Sequence, residues 1–194
     1  MKMRIEKPSH YRVLAAGLFL LLGACAGEFD TLDAQGDMTL PLFMGPNGTA
    51  GMVAGSDCLV VADPATDMQA QMLDALNAYR AEYGLEPLIY SRRLEQAISR
   101  HVRDLWERQY FDHTNPDGKT PGERAFDAGF CHTYVGENIA AGQIDVEAVM
   151  RAWINSPGHN RNMLLADYVY VGMGYFVSPE GRRFWGQAFA FDLP

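Results

Sequence analysis

The sequence lacks the short motifs that identify several large enzyme classes. It contains no H-E-x-x-H helix, no C-x-x-C pair and no G-x-S-x-G turn, which excludes the common zinc-protease, thiol-redox and serine-hydrolase arrangements. Gly172 and Gly174 have no third glycine and no following helix, so they do not form a dinucleotide-binding loop. Candidate chemistry must therefore be sought in separate side chains rather than in one compact motif.

Basic residues are also scarce. The chain has 16 Lys and Arg against 24 Asp and Glu, a net charge of −8. Residues 1–24 hold four of the basic residues and one of the acidic ones, so residues 25–194 carry 12 against 23, or −11. Such a surface argues against nucleic acid and anionic lipid headgroups as main partners. We expect no nucleic-acid partner, and we expect a monomer.

The N-terminus combines positive charge with a short apolar run. Residues 13–24 are apolar over about the length of a signal-peptide core and are too short to span a bilayer comfortably. The run ends in L-G-A-C, which resembles the lipobox of bacterial lipoproteins, with Cys25 as the acylated first residue of the mature chain. We predict a lipoprotein signal peptide over 1–24 and an exported protein held on a membrane by lipid at Cys25. Ordinary secretion, with Cys25 only incidentally near the cleavage site, is the alternative.

The residue after this cysteine bears on which membrane carries the anchor. Ala26 stands where an aspartate would retain a lipoprotein at the inner membrane. In a cell with two membranes, we therefore expect the outer membrane, with the protein facing the periplasm.

Cysteine is rare, with three residues in the chain. If Cys25 is acylated, Cys58 and Cys131 remain, and the default for such a pair in an exported protein is a disulfide. Two separate buried thiols are the alternative. Residues 25–65 are rich in Gly, Asp, Pro and Met without a sustained period, so we predict a flexible tether there. Residues 66–194 are then one domain of ordinary size.

Hydrophobic periodicity places helices first and strands last in this domain. Ser91 and Asp145 are predicted helix N-caps, and Pro121 suits the first turn of a short helix. The tripeptide 156–158, Ser-Pro-Gly, is predicted to stop the last helix and to carry His159 on a sharp turn. Two β-rich segments follow, 168–177 and 183–191, joined as a hairpin. Because strands and helices do not alternate, we predict an α+β fold with helices packed on a largely antiparallel sheet.

Three ionisable side chains lie in turn-rich sequence, where sites tend to be built: His113, Glu137 and His159. Two imidazoles and a carboxylate could bind a divalent metal such as zinc. The same groups could instead act as acid, base or water-orienting group. His101, on the apolar face of the second helix, and Glu147, in the first turn of a later helix, are interpreted as structural.

Five stretches appear in order and together are specific. They are FDHTNPDGKTP, GENIA, AVMRAWINSPGHNRNMLL, VYVGMGYF and RFWGQAFA. From about Met68 to Phe191 the chain is similar to the bacterial branch of the CAP superfamily, the SCP-like extracellular domains related to cysteine-rich secretory proteins, antigen 5 and pathogenesis-related proteins. The resemblance implies a three-layer α-β-α sandwich. It also implies a central cleft where His113, Glu137 and His159 converge.

One position departs from the family pattern. Many eukaryotic members have a second cleft glutamate three positions after the tryptophan of the penultimate helix, and counting from Trp153 this position is Ser156. The resemblance therefore leaves a metal site of two imidazoles, His113 and His159, completed by water or by Glu137. It disfavours a mechanism that needs two carboxylates.

The resemblance implies a binding function more than a reaction. We expect an anchored envelope module whose cleft holds zinc or another divalent metal, or a small lipid-like or glycan ligand from the cell wall. One alternative is a hydrolase of envelope peptide, glycan or ester, in which Glu137 or a histidine activates water. Another is a structural envelope protein with no chemistry. Because no nucleophile stands in a recognised arrangement, binding is the favoured hypothesis.

Overall fold

The computed structural model describes residues 60–192. Within this range the elements are α1 (Asp67–Glu82), β1 (Ile89–Tyr90), α2 (Arg92–Glu107), α3 (Pro121–Asp127), β2 (Val135–Ala141), α4 (Val146–Ile154), α5 (Pro157–Leu164), β3 (Tyr168–Val177) and β4 (Arg183–Phe191). Among these residues, no helix combines the length and the apolarity that a bilayer crossing requires. The predicted signal peptide, Cys25 and Cys58 lie outside the described residues, so the predictions made for them stay predictions.

Side-chain caps fix where the helices begin. Ser91 and Asp145 accept backbone N–H groups at the starts of α2 and α4, as predicted. At α3 the cap is reciprocal: Thr120 accepts the N–H of Glu123, and the Glu123 carboxylate accepts the N–H of Thr120 at 2.9 Å. Each such cap stabilises its helix by about 1 kcal/mol. The start of α3 is therefore firmly set, and α3 carries a residue of the site described below.

The four strands form one mixed sheet in the order β1-β3-β4-β2. The pairs β3–β4 and β2–β4 are antiparallel, whereas β1 pairs with β3 in parallel. Parallel pairing is available to β1 because a long connection, which contains α2, α3, β2, α4 and α5, separates it from β3 along the chain. The predicted α+β class is confirmed, and the largely antiparallel sheet contains one parallel pair at its β1 edge.

Helices cover both faces of the sheet, which confirms the three-layer sandwich. One core lies between the sheet and α1, α4 and α5, with Trp153, Trp185 and Phe189 buried in it. The other lies between the sheet and α2 and α3 and includes Ile98 and Phe184. Because side chains alternate along a strand, neighbouring residues of β2 and β4 enter opposite cores.

Glycines in the sheet allow the second helix to approach it closely. A Cβ on Gly172 would lie 2.2 Å from the backbone nitrogen of Glu95, and a Cβ on Gly174 would lie 2.9 Å from the carbonyl oxygen of Ile98. These two glycines therefore serve helix–sheet packing.

The Ser156-Pro157-Gly158 segment starts a helix. α4 ends at Ile154, Ser156 is the N-cap of α5, and Pro157 is its first residue. Proline is common at the first position of a helix, because its fixed φ suits the helix and because an N–H group there would have no acceptor within the helix. The prediction that α4 stops before Pro157 is confirmed, but the turn predicted for His159 is wrong, since His159 lies in the first turn of α5.

Candidate functional site

Glu137 is the centre of a buried charged cluster. Its side chain is 3% exposed and enters the α2–α3 side of the sheet. Oε1 lies 2.8 Å from Nδ1 of His113 and 3.6 Å from Nε2 of His101. Oε2 accepts a hydrogen bond of 2.6 Å from the guanidinium of Arg124. Both oxygens of this carboxylate therefore have cationic or ring N–H partners.

These partners keep Glu137 ionised. Burial alone would raise the pKa of Glu137, but the hydrogen bond from His113 and the charges of Arg124, His101 and His113 hold it below its usual range. A buried carboxylate is stable only when it is paired in this way. The cluster is therefore a fixed negative charge enclosed by donors.

His113 presents one ring nitrogen to its surroundings. Because the ionised Glu137 can only accept, Nδ1 of His113 carries the proton of their hydrogen bond, and Nε2 is left without a proton in the neutral ring. The hydrogen bond to Glu137 raises the pKa of His113. The ring is 51% exposed, so Nε2 can meet a ligand. This is the arrangement in which a carboxylate orients a metal-binding histidine.

Arg124 holds the loop that carries His113 through hydrogen bonds to its backbone. The guanidinium donates to the carbonyl oxygen of His113 at 2.7 Å and to that of Lys119 at 2.8 Å, in addition to Glu137. Inside the loop, the Asn115 side chain accepts the N–H groups of Asp117 and Lys119. One arginine thus fixes both partners of the His113–Glu137 pair.

His159 is fixed through its backbone. Its carbonyl oxygen accepts a hydrogen bond of 3.1 Å from Nδ2 of Asn138. The same nitrogen donates to Oε1 of Gln187 at 3.0 Å, and Oδ1 of Asn138 accepts from Asn162 at 2.9 Å. Asn138 and Gln187 are fully buried. These three amides tie α5, which carries His159, to the sheet beside Glu137.

The His159 ring itself is not hydrogen-bonded to any residue of 60–192. Burial and then the charge of His113 lower the pKa of His159. With its pKa lowered, His159 is neutral at physiological pH. The structure brings His113 and Glu137 into direct contact, whereas His159 has no direct bond to either of them.

Two further residues belong to this site and were missed from sequence. Arg124 follows a capping glutamate on a short helix, and nothing in that local pattern indicates an inward guanidinium. His101 is buried, with Nε2 3.1 Å from the carbonyl oxygen of Asp112 and Nδ1 3.2 Å from the hydroxyl of Tyr110. Burial lowers the pKa of His101. It is packed as expected, yet it also lies beside Glu137.

The other candidates lie apart from this cluster. Glu147 is exposed and pairs with Arg151 at 3.0 Å. Ser156 supplies no carboxylate, and its side chain makes no capping bond to α5. Among residues 60–192, no three His, Cys, Asp or Glu side chains gather into a group able to hold a metal by themselves. The pairing of Cys131 with Cys58 stays a prediction.

Comparison with known proteins gives relatives with a shared domain. The uncharacterized protein YkwD of Bacillus subtilis is 33% identical over 121 residues, which cover 62% of this chain and 46% of that protein. The uncharacterized membrane protein YlbC of the same species is 29% identical over 124 residues, covering 64% and 34%. This chain therefore matches less than half the length of these two relatives.

Solved structures share the fold. An extracellular protein of Bacillus anthracis that contains an SCP domain aligns with a TM-score of 0.57 and 28% identity, over 68% of this chain and 45% of that one. An outer surface protein of Borrelia burgdorferi aligns with a TM-score of 0.61 and 22% identity, over 69% and 98%. The family described as CAP, cysteine-rich secretory protein family, matches residues 73–189. With its three-layer fold and this match over more than half of its length, the chain belongs to the CAP, or cysteine-rich secretory protein, family.

Proposed function

We propose that this protein is an exported envelope binding module whose cleft takes up a divalent metal ion through His113 and His159. The observation that carries the proposal is the 2.8 Å hydrogen bond between Nδ1 of His113 and Glu137. It holds the ring in the tautomer whose Nε2 can accept a metal. The low pKa of His159 supports the same role, because a neutral imidazole is the form that binds metal.

Glu137 orients the site rather than coordinating the ion. Both of its oxygens are already bonded, to His113 and to Arg124, and its side chain is almost fully buried. Two neutral imidazoles suit zinc and similar borderline metals. They leave coordination positions for water or for oxygen atoms of a bound molecule. A small lipid-like or glycan-derived ligand of the envelope is the partner we propose for those positions.

The cellular place follows from the N-terminal sequence and from the relatives. The signal-peptide pattern over 1–24 and the lipobox at Cys25 favour export and acylation. Its relatives and structural neighbours include an extracellular protein, an outer surface protein and a membrane protein. We propose a monomer anchored by lipid in the outer membrane and facing the periplasm.

A hydrolase is the second candidate, favoured by the same pair of residues. A histidine oriented by a buried carboxylate could deprotonate water at Nε2. Within residues 60–192, however, no Ser or Thr side chain is hydrogen-bonded to the His113 ring, so water would be the nucleophile. Activity against envelope polymers that disappears in Glu137→Gln would support this candidate. The binding function needs no such reaction.

Zinc titration of the purified protein tests the proposal. The wild-type chain should take up one equivalent, and His113→Ala and His159→Ala should each abolish uptake. Glu137→Gln should weaken uptake by about 10- to 100-fold, because it loosens the orienting bond without removing a ligand. Glu147→Gln, on the exposed face of α4, is the matched control and should bind as the wild type does. Unchanged uptake in both histidine variants would refute the site.

A further inference from the structure

A pocket lies where the C-terminal end of α2 meets the β3–β4 hairpin, and its Tyr110 hydroxyl lies 3.2 Å from Nδ1 of His101. It has a volume of about 550 Å³, within the range of small-molecule sites. None of its lining residues belongs to the pair of histidines or to Glu137. Its wall alternates aromatic rings with polar side chains: Trp106, Tyr110, Phe111 and Phe184 among the former, and Gln109, Ser178, Glu180 and Arg182 among the latter.

The backbone at Gln109 is unusual for its position. α2 ends in a Schellman motif, in which the N–H of Tyr110 bonds to the carbonyl of Leu105 and the N–H of Gln109 to that of Trp106. The residue in the left-handed conformation of this motif is usually glycine. Here it is Gln109, with φ of 55°, the one non-glycine with positive φ in the described part of the chain. The backbone of Gln109 is therefore strained at the edge of the pocket, and a glycine at this position would relieve the strain.

The pocket also holds polar groups with open bonding capacity. Nε2 of Gln109 donates to the carbonyl of Trp106, and the amide oxygen of Gln109 has no partner among residues 60–192. The guanidinium of Arg182 stacks over Phe184 at 5.3 Å and makes no ion pair or hydrogen bond within the same range. The nearby Ser178 hydroxyl, the backbone N–H of Glu180 and the Trp106 side chain lower the pKa of Glu180, so its side chain is ionised at neutral pH. A planar donor, a carboxylate and an amide oxygen therefore line one cavity.

The charges of Glu180 and Arg182 cancel, so the pocket favours a ligand without net charge. The aromatic rings offer faces against which C–H groups pack, and Phe111 is 54% exposed at this pocket. The polar groups between them can pair with hydroxyl groups, which donate and accept. A sugar ring presents both features at once. We propose that this pocket binds a neutral oligosaccharide, with Gln109, Glu180 and Arg182 bonding to its hydroxyl groups.

Titration with two neutral oligosaccharides, cellotetraose and the tetramer of N-acetylglucosamine, tests this site by calorimetry and NMR. At least one should bind at millimolar concentration. Glu180→Ala and Arg182→Ala should each weaken that binding by about tenfold, since each loses a hydrogen bond to a charged group. Glu147→Ala and Arg151→Ala, an exposed pair on α4, are the matched controls and should leave it unchanged.

Gln109→Gly separates a ligand-binding role from a structural one. It relieves the left-handed strain, so the thermal midpoint should rise by about 3 °C. The same variant should bind the oligosaccharide more weakly, because the amide is gone. Binding unchanged in Gln109→Gly, Glu180→Ala and Arg182→Ala, or no binding of either oligosaccharide, would overturn the proposal. Retained sugar binding in His113→Ala would show that this pocket works independently of the proposed metal site.

Discussion

Neighbouring residues of β2, Glu137 and Asn138, hold the two histidines by different physical means. Glu137 enters the α2–α3 core, where it is surrounded by Arg124 and two histidines and fixes the ring of His113 through a charged hydrogen bond. Asn138 enters the opposite core, where neutral amides surround it and it fixes the backbone of His159. One strand therefore fixes a histidine in each of two layers of the sandwich.

The Glu137 side and the Asn138 side differ in how much stability is lost when one partner is removed. A buried carboxylate that loses its cation stays charged and cannot reach water, so the loss of stability is large. A buried amide that loses one partner costs less, because the desolvation penalty of a neutral group is smaller. The charged side should therefore be fragile and sensitive to pH, whereas the amide side should be moderately sensitive to mutation and insensitive to pH.

Removal of Arg124 should produce the largest effect. Arg124→Gln leaves the buried carboxylate of Glu137 without its cation and should destabilise the fold by about 3 kcal/mol. Denaturation in urea measures the change. Arg151→Gln is the control, since it breaks an exposed pair and should cost less than about 1 kcal/mol. Adding Glu137→Gln to Arg124→Gln should restore part of the loss, and failure to do so would show that the guanidinium stabilises the loop and not the carboxylate.

Loss of the amide at Asn138 should cost less. Asn138→Ala leaves the carbonyl of His159 and the amides of Gln187 and Asn162 short of a buried partner, and we expect a loss of about 2 kcal/mol. A loss as large as that of Arg124→Gln, measured in the same urea experiment, would contradict the ranking of the two sides. Zinc titration of the same variant shows whether the backbone bond also positions the His159 ring.

The regular elements of the fold could be predicted from sequence, whereas β2, which carries Glu137 and Asn138, could not. The helices α2 and α4 follow from clean periodicity and side-chain caps, and the hairpin strands follow from β-branched and aromatic runs. β2 escaped prediction because residues 136–138, in its first half, are polar or small on both faces, which erases the alternation of a strand. The strand pattern is weakest where the site is built.

The missed partners have a similar physical cause. Arg124 and His101 reach Glu137 only through tertiary packing, and neither has a sequence neighbour that reveals it. The Ser-Pro-Gly tripeptide has the opposite difficulty, because one pattern serves as a helix stop and as a helix start. Local chemistry located the break before His159, but only the packing of α5 on β2 shows that a new helix begins there.

The pH dependence of stability should distinguish the two sides. The pKa of His113 is raised above its unfolded value of about 6.5, so the protonated ring stabilises the fold fully below that pH. This stabilisation is lost as pH rises through the raised pKa. The difference in unfolding free energy between the wild type and His113→Asn, measured with a chelator present, should therefore shrink from pH 6 towards pH 9. The difference for Asn138→Ala should stay constant, and a flat profile for both would remove the electrostatic distinction.

The smallest effect on stability is expected where the family pattern departs, at Ser156. This residue is the N-cap of α5, and its side chain makes no capping bond. A carboxylate there, in Ser156→Glu, meets the positive end of the helix and should stabilise the fold by about 0.5 kcal/mol. Because Ser156 is the N-cap and His159 is the third residue of α5, an N-cap side chain reaches towards His159. Zinc should then bind more tightly than to the uncharged control Ser156→Gln. Equal zinc affinity in the two variants, together with a rise in stability, would mean that the carboxylate acts on the helix alone and that the ion is held on the Glu137 side.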